Sequence, residues 1–344
     1  MRELLKRLPK VELHVHLDGA VRPDTAIELA RAEGIALPAD DPAALLTHMR
    51  VGAECGSLAE YLAKFELVLP LLQTRQALER VAFELAERAA AHNCLYAEVR
   101  FAPQLHTRRG LGCSDAIEAV LAGLRLAEER CGIVARAIAI CMRHHSEETN
   151  LAVVEAASRH RGRGLVAVDL AGDEASHPPA RFRRVFAHAR SLGLPCTIHA
   201  GEAAGADSIA EAMDGLGASR IGHGVRLRED PGLLEQVRQR RIPLELCPTS
   251  NVQTKAVAGW ADYPLRDYVD RGIPATINTD NPTVSGTTWT DECAAAVERL
   301  GFSPPELVRL MRNAIEAAFL DEAGKRLLRD RFDRKLAELG LAAV

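Results

Sequence analysis

Lys10-Val-Glu-Leu-His14-Val-His16-Leu-Asp18-Gly19 alternates strictly between apolar and ionisable side chains. Successive side chains of a strand point to opposite faces, so Val11, Leu13, Val15 and Leu17 share one face and Glu12, His14, His16 and Asp18 the other. Such a strand suits a barrel wall, with its apolar face under helices and its polar face turned inward. Seven further β-rich runs, each ending near Gly, Pro or Asp, lie at 94–101, 134–141, 165–170, 195–200, 220–223, 242–247 and 274–279. Helical spacing of apolar residues fills the intervals, as at 76–91, 115–130, 180–192, 207–217 and 230–240. Strand and helix in alternation imply a parallel sheet, and eight repeats is the number that closes a (β/α)8 TIM barrel. An open doubly wound sheet fits the same count, but no G-x-G-x-x-G follows the first strand.

The rest of the 344-residue chain is consistent with one domain over 1–344, with extra helices after the first strand (roughly 20–92) and at the C-terminus, where Pro304 to about Leu339 forms a helical appendage. A content of 47% hydrophobic and 26% charged residues, with Gly 25 and Pro 17, excludes collagen-like, mucin-like and disordered chains. Forty-three Lys and Arg against 47 Asp and Glu leave a net charge of −4, which offers no general attraction to nucleic acid or an anionic membrane. A small-molecule ligand is expected instead. The eight cysteines are scattered with no C-x-x-C pair, which argues against a disulfide scaffold or a thiolate zinc site and fits a reduced cytoplasm. No run of 18 apolar residues occurs, and Met1 to Lys10 lacks the apolar core of a signal peptide, so a cytoplasmic protein is expected.

His14 and His16 would share one wall near the C-terminal mouth, where barrel enzymes keep their sites. An H-x-H pair alone also arises in purely structural strands. Three other strand ends, however, carry matching pieces: Thr197-Ile-His199-Ala-Gly-Glu202, Ile221-Gly-His223-Gly224 and Asn278-Thr-Asp280-Asn281-Pro282. His14, His16, His199 and Asp280 make a nitrogen and oxygen set suited to one Zn²⁺ per chain, or to a neighbouring transition metal, with a water whose pKa the metal lowers to about 7. Glu202 is placed to exchange protons with a substrate, its plain alternative being a loop salt bridge. His223 is placed to orient or deprotonate the water.

The ordered motifs K-V-E-L-H-V-H-L-D-G, S-L-A-E-Y-L-A-K-F, Y-A-E-V-R-F-A-P, D-L-A-G-D-E, H-A-G-E, I-G-H-G and N-T-D-N-P resemble the adenosine deaminase family of the amidohydrolase superfamily, from about residue 8 to about 320. The resemblance implies a zinc-dependent barrel that hydrolyses the 6-amino group of an adenine-type base. It assigns His14, His16, His199 and Asp280 to the metal, Glu202 to proton donation at purine N1, and His223 to assisting the attacking hydroxide. His16 and Asp18 fall to the sugar hydroxyls, and the Gly172 N–H to the base, which a backbone without a side chain can approach closely. Asp169 would steady the ligand shell.

Many family members have Asp-Asp-Pro where this chain has Asp280-Asn281-Pro282. A carboxyl must be protonated to donate to purine N7, whereas the Asn281 amide donates in its neutral state. Leu58, Tyr61, Leu62 and Phe65 follow the i, i+3, i+4, i+7 pattern of one helical face, either facing the core or, as the resemblance suggests, forming an apolar lid. The His144-His145 doublet is expected to be solvated. His145-Ser-Glu147 matches half of the cytidine-deaminase zinc signature, but the P-C-x-x-C half is absent.

The expected activity is hydrolytic deamination of adenosine or 2′-deoxyadenosine to inosine or 2′-deoxyinosine and ammonia. Adenine, aminodeoxyfutalosine and other 5′-modified adenosines are the alternative substrates, and a catalytically silent purine-nucleoside binder is the non-enzymatic alternative. The sequence leaves the oligomeric state open.

Overall fold

The first alternating run forms strand β1 (Lys10–His16) in the computed structural model, which describes residues 1–52 and 55–341. The others are β2 (Cys94–Phe101), β3 (Val134–Met142), β4 (Leu165–Ala171), β5 (Thr197–Ala200), β6 (Arg220–His223), β7 (Leu244–Leu246) and β8 (Ala275–Ile277). All neighbours pair in parallel, as two runs of four: β1-β2-β3-β4 and β5-β6-β7-β8. Two seams join the runs. Val168 N donates to Pro195 O at 3.1 Å, and on the other side His16 N donates to Asp280 O at 2.8 Å while Asp280 N donates to His14 O at 2.9 Å. The sheet is therefore closed, and the fold is a TIM barrel.

Helices alternate with the strands: α1 (Arg2–Arg7), α2 (Pro23–Glu33), α3 (Pro42–Met49), α4 (Leu58–Leu62), α5 (Phe65–Val68) and α6 (Arg75–Ala91) surround β1 and lead to β2. Then come α7 (Cys113–Cys131), α8 (Glu147–Ser158), α9 (Arg183–Ser191), α10 (Ala206–Asp214), α11 (Pro231–Arg240), α12 (Pro248–Gln253) and α13 (Leu265–Asp270). After β8 follow α14 (Pro282–Ser285), α15 (Trp289–Leu300), α16 (Pro304–Ala317) and α17 (Glu322–Ala337). Helices α2 to α5 lie between β1 and α6 among the described residues, and α14 to α17 follow β8, with α16 packed on β8 and β1. Among the described residues, no helix is long and apolar enough to cross a membrane.

Three strands are shorter than their apolar runs. Pro195, Pro243 and Pro274 lie just before β5, β7 and β8, and proline has no N–H to give a ladder, so each is left at a strand's edge as an acceptor only. Helix α10 stops at Asp214, three residues before the expected end, where Gly215 and Gly217 weaken helix propagation. The run over 180–192 divides into a 3₁₀ turn at Pro179–Phe182 and α9.

Val11, Leu13, Val15 and Leu17 are buried beneath the outer helices, and Glu12 and His14 are buried on the opposite face. The barrel interior is charged. Arg100 donates to Asp169 at 2.9 Å, to Glu245 at 2.7 Å and to Leu13 O at 2.6 Å, while Arg220 bridges Glu98 at 2.5 Å and Glu245 at 2.6 Å. Buried ions are tolerable only when paired and hydrogen-bonded, and every carboxylate of this network meets a guanidinium. The network forms the floor beneath the mouth of the barrel.

Candidate active site

Three strand ends, those of β1, β5 and β8, bring His14, His16, His199 and Asp280 together. His16 Nε2 lies 3.3 Å from His199 Nε2 and 3.3 Å from Asp280 Oδ1, and His14 Nε2 lies 3.5 Å from the same Oδ1. Donor atoms held at ~2.0–2.2 Å by one tetrahedral ion would be roughly 3.3–3.6 Å apart. The imidazoles are also oriented for that task. His14 Nδ1 faces Glu245 at 2.8 Å and His199 Nδ1 faces Asp169 at 3.0 Å, so both ring hydrogens are committed to carboxylates and both Nε2 lone pairs point inward. His14 Nε2 is buried and has no hydrogen-bond partner among the described residues. The donor set therefore fits a divalent transition metal.

Those carboxylates stay ionised. Burial pushes Glu245 up, but Arg100 and Arg220 outweigh it and hold the group well below the usual range. Asp169 is likewise raised by burial and lowered further by His199 and Arg100. Asp280 has a left-handed backbone, φ 60°, and so does His223 at φ 62°. Outside glycine that conformation costs about 1–2 kcal/mol, and at Asp280 the two hydrogen bonds to β1 hold it in place.

Glu202 follows β5 and is buried beside the cluster. Thr254 Oγ1 donates to its Oε1 at 3.2 Å, and its Oε2 lies 3.5 Å from His223 Nε2. Burial, then the charges of Asp280 and Glu174, raise its carboxyl to about 8, so at neutral pH it can carry a proton. His223 is buried too, and burial, followed by the neighbouring His14, pushes it well below its ordinary value, so the ring is neutral. Its tautomer follows from its neighbours. Cys247 N and Tyr263 OH donate to Asn251 Oδ1, which turns the Asn251 amide N–H toward His223 Nδ1 at 2.9 Å. Nδ1 is therefore an acceptor and the ring hydrogen is on Nε2, which suits orienting a water oxygen and not taking its proton.

Glu202, His223, His16, His199 and Asp280 border a cavity of about 450 Å³ that Asp18, Gly172 and Asn281 also line. Gly172, which lines the cavity, has φ 108°, a conformation that side chains resist. Gly19 is required for a different reason: a Cβ there would stand 1.9 Å from Asn281 Oδ1. Leu58, Tyr61, Leu62 and Phe65 form one apolar wall of the cavity, but not on a single helix, because the chain breaks at Ala63-Lys64 into α4 and α5. Tyr61 is buried, with its hydroxyl 2.6 Å from Ser285 Oγ; the other three are half-buried. Of the doublet expected to be solvated, His144 is exposed and lines the cavity, whereas His145 is half-buried.

The adenosine deaminase family model matches residues 9–335. An adenosine deaminase from Clostridium botulinum is 41% identical over 324 residues, covering 94% of this chain and 97% of the relative. The chain belongs to the adenosine deaminase family. Among solved structures, an adenine deaminase from Arthrobacter aurescens superposes with a TM-score of 0.88 at 32% identity, covering 96% of this chain and 99% of the other. A zinc-bound amidohydrolase from Burkholderia ambifaria gives 0.89 at 28% identity over 98% and 94%. This protein is thus an enzyme of the adenosine deaminase family, with a fold and a donor set able to hold a metal.

Sequence reasoning about this family member missed the residues that orient the others. Glu245 and Asn251 carry no local motif that distinguishes them from ordinary core or loop residues, whereas Arg100 and Glu174 lie inside Y-A-E-V-R-F-A-P and D-L-A-G-D-E without a role assigned to them. Alternation along β2 and β7 does place Arg100 and Glu245 on the inward face, as it did Glu12 and His14 on β1. An ionisable residue predicted to point into a closed barrel was the available signal.

Proposed function

We propose that the enzyme hydrolyses the 6-amino group of adenosine and 2′-deoxyadenosine, releasing ammonia and the corresponding inosine, with one zinc ion held by His14, His16, His199 and Asp280. The carrying observation is Glu202, a buried carboxyl raised to about 8 on the border of the same cavity as that donor set. A zinc ion bound there would supply the Lewis acidity that makes water nucleophilic near neutral pH. Glu202 gives its proton to ring N1 as water adds at C6, so that the ring does not have to carry an anion. His223 holds the water oxygen through Nε2–H. As the C6–N bond breaks, one of the water's two protons leaves with the amino group as ammonia, and the other returns to the Glu202 carboxylate that protonated N1. Asp18 and His16 take the sugar hydroxyls, the Gly172 N–H and the Asn281 amide take base nitrogens, and the cavity volume suits a ligand of nucleoside size.

Support for a nucleoside substrate comes from the Clostridium relative, and support for a free base from the Arthrobacter one. Ammonia release should be measured with adenosine, deoxyadenosine, adenine, methylthioadenosine and aminodeoxyfutalosine, alongside the metal content of the active protein. Adenosine and deoxyadenosine should be turned over by protein holding about one zinc per chain. Glu202→Gln should keep its metal and lose at least ~10²-fold in kcat, the usual worth of a positioned proton transfer. Turnover of adenine alone would overturn the nucleoside reading, no turnover of any substrate would favour a silent binder, and active protein without a transition metal would overturn the metal assignment.

A further inference from the structure

Glu174, three residues past the end of β4, is buried, and its carboxylate is directed away from the cavity into the loop that follows β5. Its Oε1 accepts from Gly201 N at 2.7 Å and from the Ser208 hydroxyl, and its Oε2 accepts from Glu202 N at 3.0 Å, Ala203 N at 2.7 Å and Ala204 N at 3.0 Å. Four consecutive backbone N–H groups and one hydroxyl thus converge on a single side chain, an anion nest filled by the protein's own carboxylate. All five partners can donate, which is the pattern a carboxylate satisfies and an amide does not.

We propose that Glu174 is the positioning residue for Glu202: it fixes the backbone on which the proton donor stands, and so sets that carboxyl's distance from the substrate ring. The inference rests on the reading of Glu202 given above. Without the acceptor, four inward-facing N–H groups lose their partner, and the loop must turn to find water or other acceptors. Glu202's remaining contacts, to Thr254 at 3.2 Å and near His223 at 3.5 Å, are long and leave its position to the backbone. The metal donors do not depend on this nest, since His199 is held by β5 and by Asp169. A shift of about 1 Å in a reacting group costs on the order of 10²-fold in rate.

The test is a cycle of Glu174→Ala, Glu202→Gln and the double variant, with kcat, KM for adenosine and metal content measured for each. Glu174→Ala should lower kcat by ~10²-fold with KM within ~3-fold and metal retained. Glu174→Gln, which can still accept from three N–H groups through its oxygen, should fall between it and wild type. In the Glu202→Gln background, Glu174→Ala should cost less than ~3-fold, because the donor it positions is already gone. Should Glu174→Ala fail to fold, Ser208→Ala, which removes one of the five bonds, should lower kcat several-fold in the wild-type background and not in Glu202→Gln. Equal losses in both backgrounds, loss of metal, or a wild-type kcat would overturn the assignment of Glu174. Normal turnover by Glu202→Gln would overturn the reading of Glu202 and this inference with it, whereas an inactive Glu202→Gln beside an unimpaired Glu174→Ala would overturn this inference alone.

Discussion

A single hydrogen decides what His223 can do. Asn251 is pinned by Cys247 N and Tyr263 OH, so its amide donates to Nδ1 and leaves the imidazole hydrogen on Nε2, on the side of Glu202. Asn251→Asp would keep the two contacts to Oδ1 but present an acceptor to Nδ1, drawing the ring hydrogen there and leaving Nε2 as a bare lone pair. The variant should lose at least ~10-fold in kcat with KM little changed, since a histidine in the wrong tautomer cannot make its contact at the reacting centre. Nitrogen NMR of the labelled imidazole reads the tautomer directly. A hydrogen still on Nε2, or a wild-type kcat with the hydrogen moved, would show that this tautomer does not matter. Asn281 has room for its side chain only because Gly19 has no Cβ, a steric condition that no hydrogen-bond pattern would have revealed.

At the scale of elements, the apolar wall of the cavity consists of two short helices with a break between them. Helices α4 and α5 span five and four residues, too few to be stable by themselves, so tertiary contacts must hold them. Tyr61 provides one such contact, because its hydroxyl reaches Ser285 at the end of α14, the helix that begins directly after Asn281. Tyr61→Phe keeps the ring and removes about 1 kcal/mol of hydrogen bonding. KM for adenosine should rise roughly 3- to 10-fold with a smaller change in kcat, as steady-state kinetics will show; an unaltered KM would mean that the wall is held by packing alone. The three prolines before β5, β7 and β8 make the second half of the barrel shorter-stranded than the first. Short strands also bring His199, His223 and Asp280 quickly to the mouth.

Across the whole molecule, buried acids set the response to pH. Glu292 of α15 is lifted to about 7 by burial, against the opposing contacts of Thr249 N and Thr287 Oγ1. Between about pH 4.5 and 7 the folded chain keeps a proton that the unfolded chain has released, so the contribution of Glu292 to stability is fully present below about 4.5 and is lost as pH rises through 7. Gln has no such proton. The stability of Glu292→Gln relative to wild type should therefore increase with pH over that window, by at most about 1.4 kcal/mol per pH unit, and level off above it. Urea unfolding at pH 5 and pH 8 measures the gap, and a gap independent of pH would mean that Glu292 is ionised in the fold.

The sequence by itself determined the eightfold alternation, the inward face of β1 and the ends of the strands that carry His14, His16, His199, His223 and Asp280. These are local properties: side-chain period, turn residues and chain order act within a few neighbours and leave their mark in the text of the chain. It also held the family motifs, and with them the expected part of Glu202. Only the tertiary structure decided how those residues are held. Glu245 meets His14 across 231 positions, Asp169 meets His199 across 30, Asn251 sets His223 across 28, and Glu174 grips residues 201–204 from the preceding strand's loop. Such pairings come from closing the barrel, which brings distant strand ends within hydrogen-bond reach. A carboxyl's proton or an imidazole's tautomer then depends on burial and on partners that no local pattern specifies.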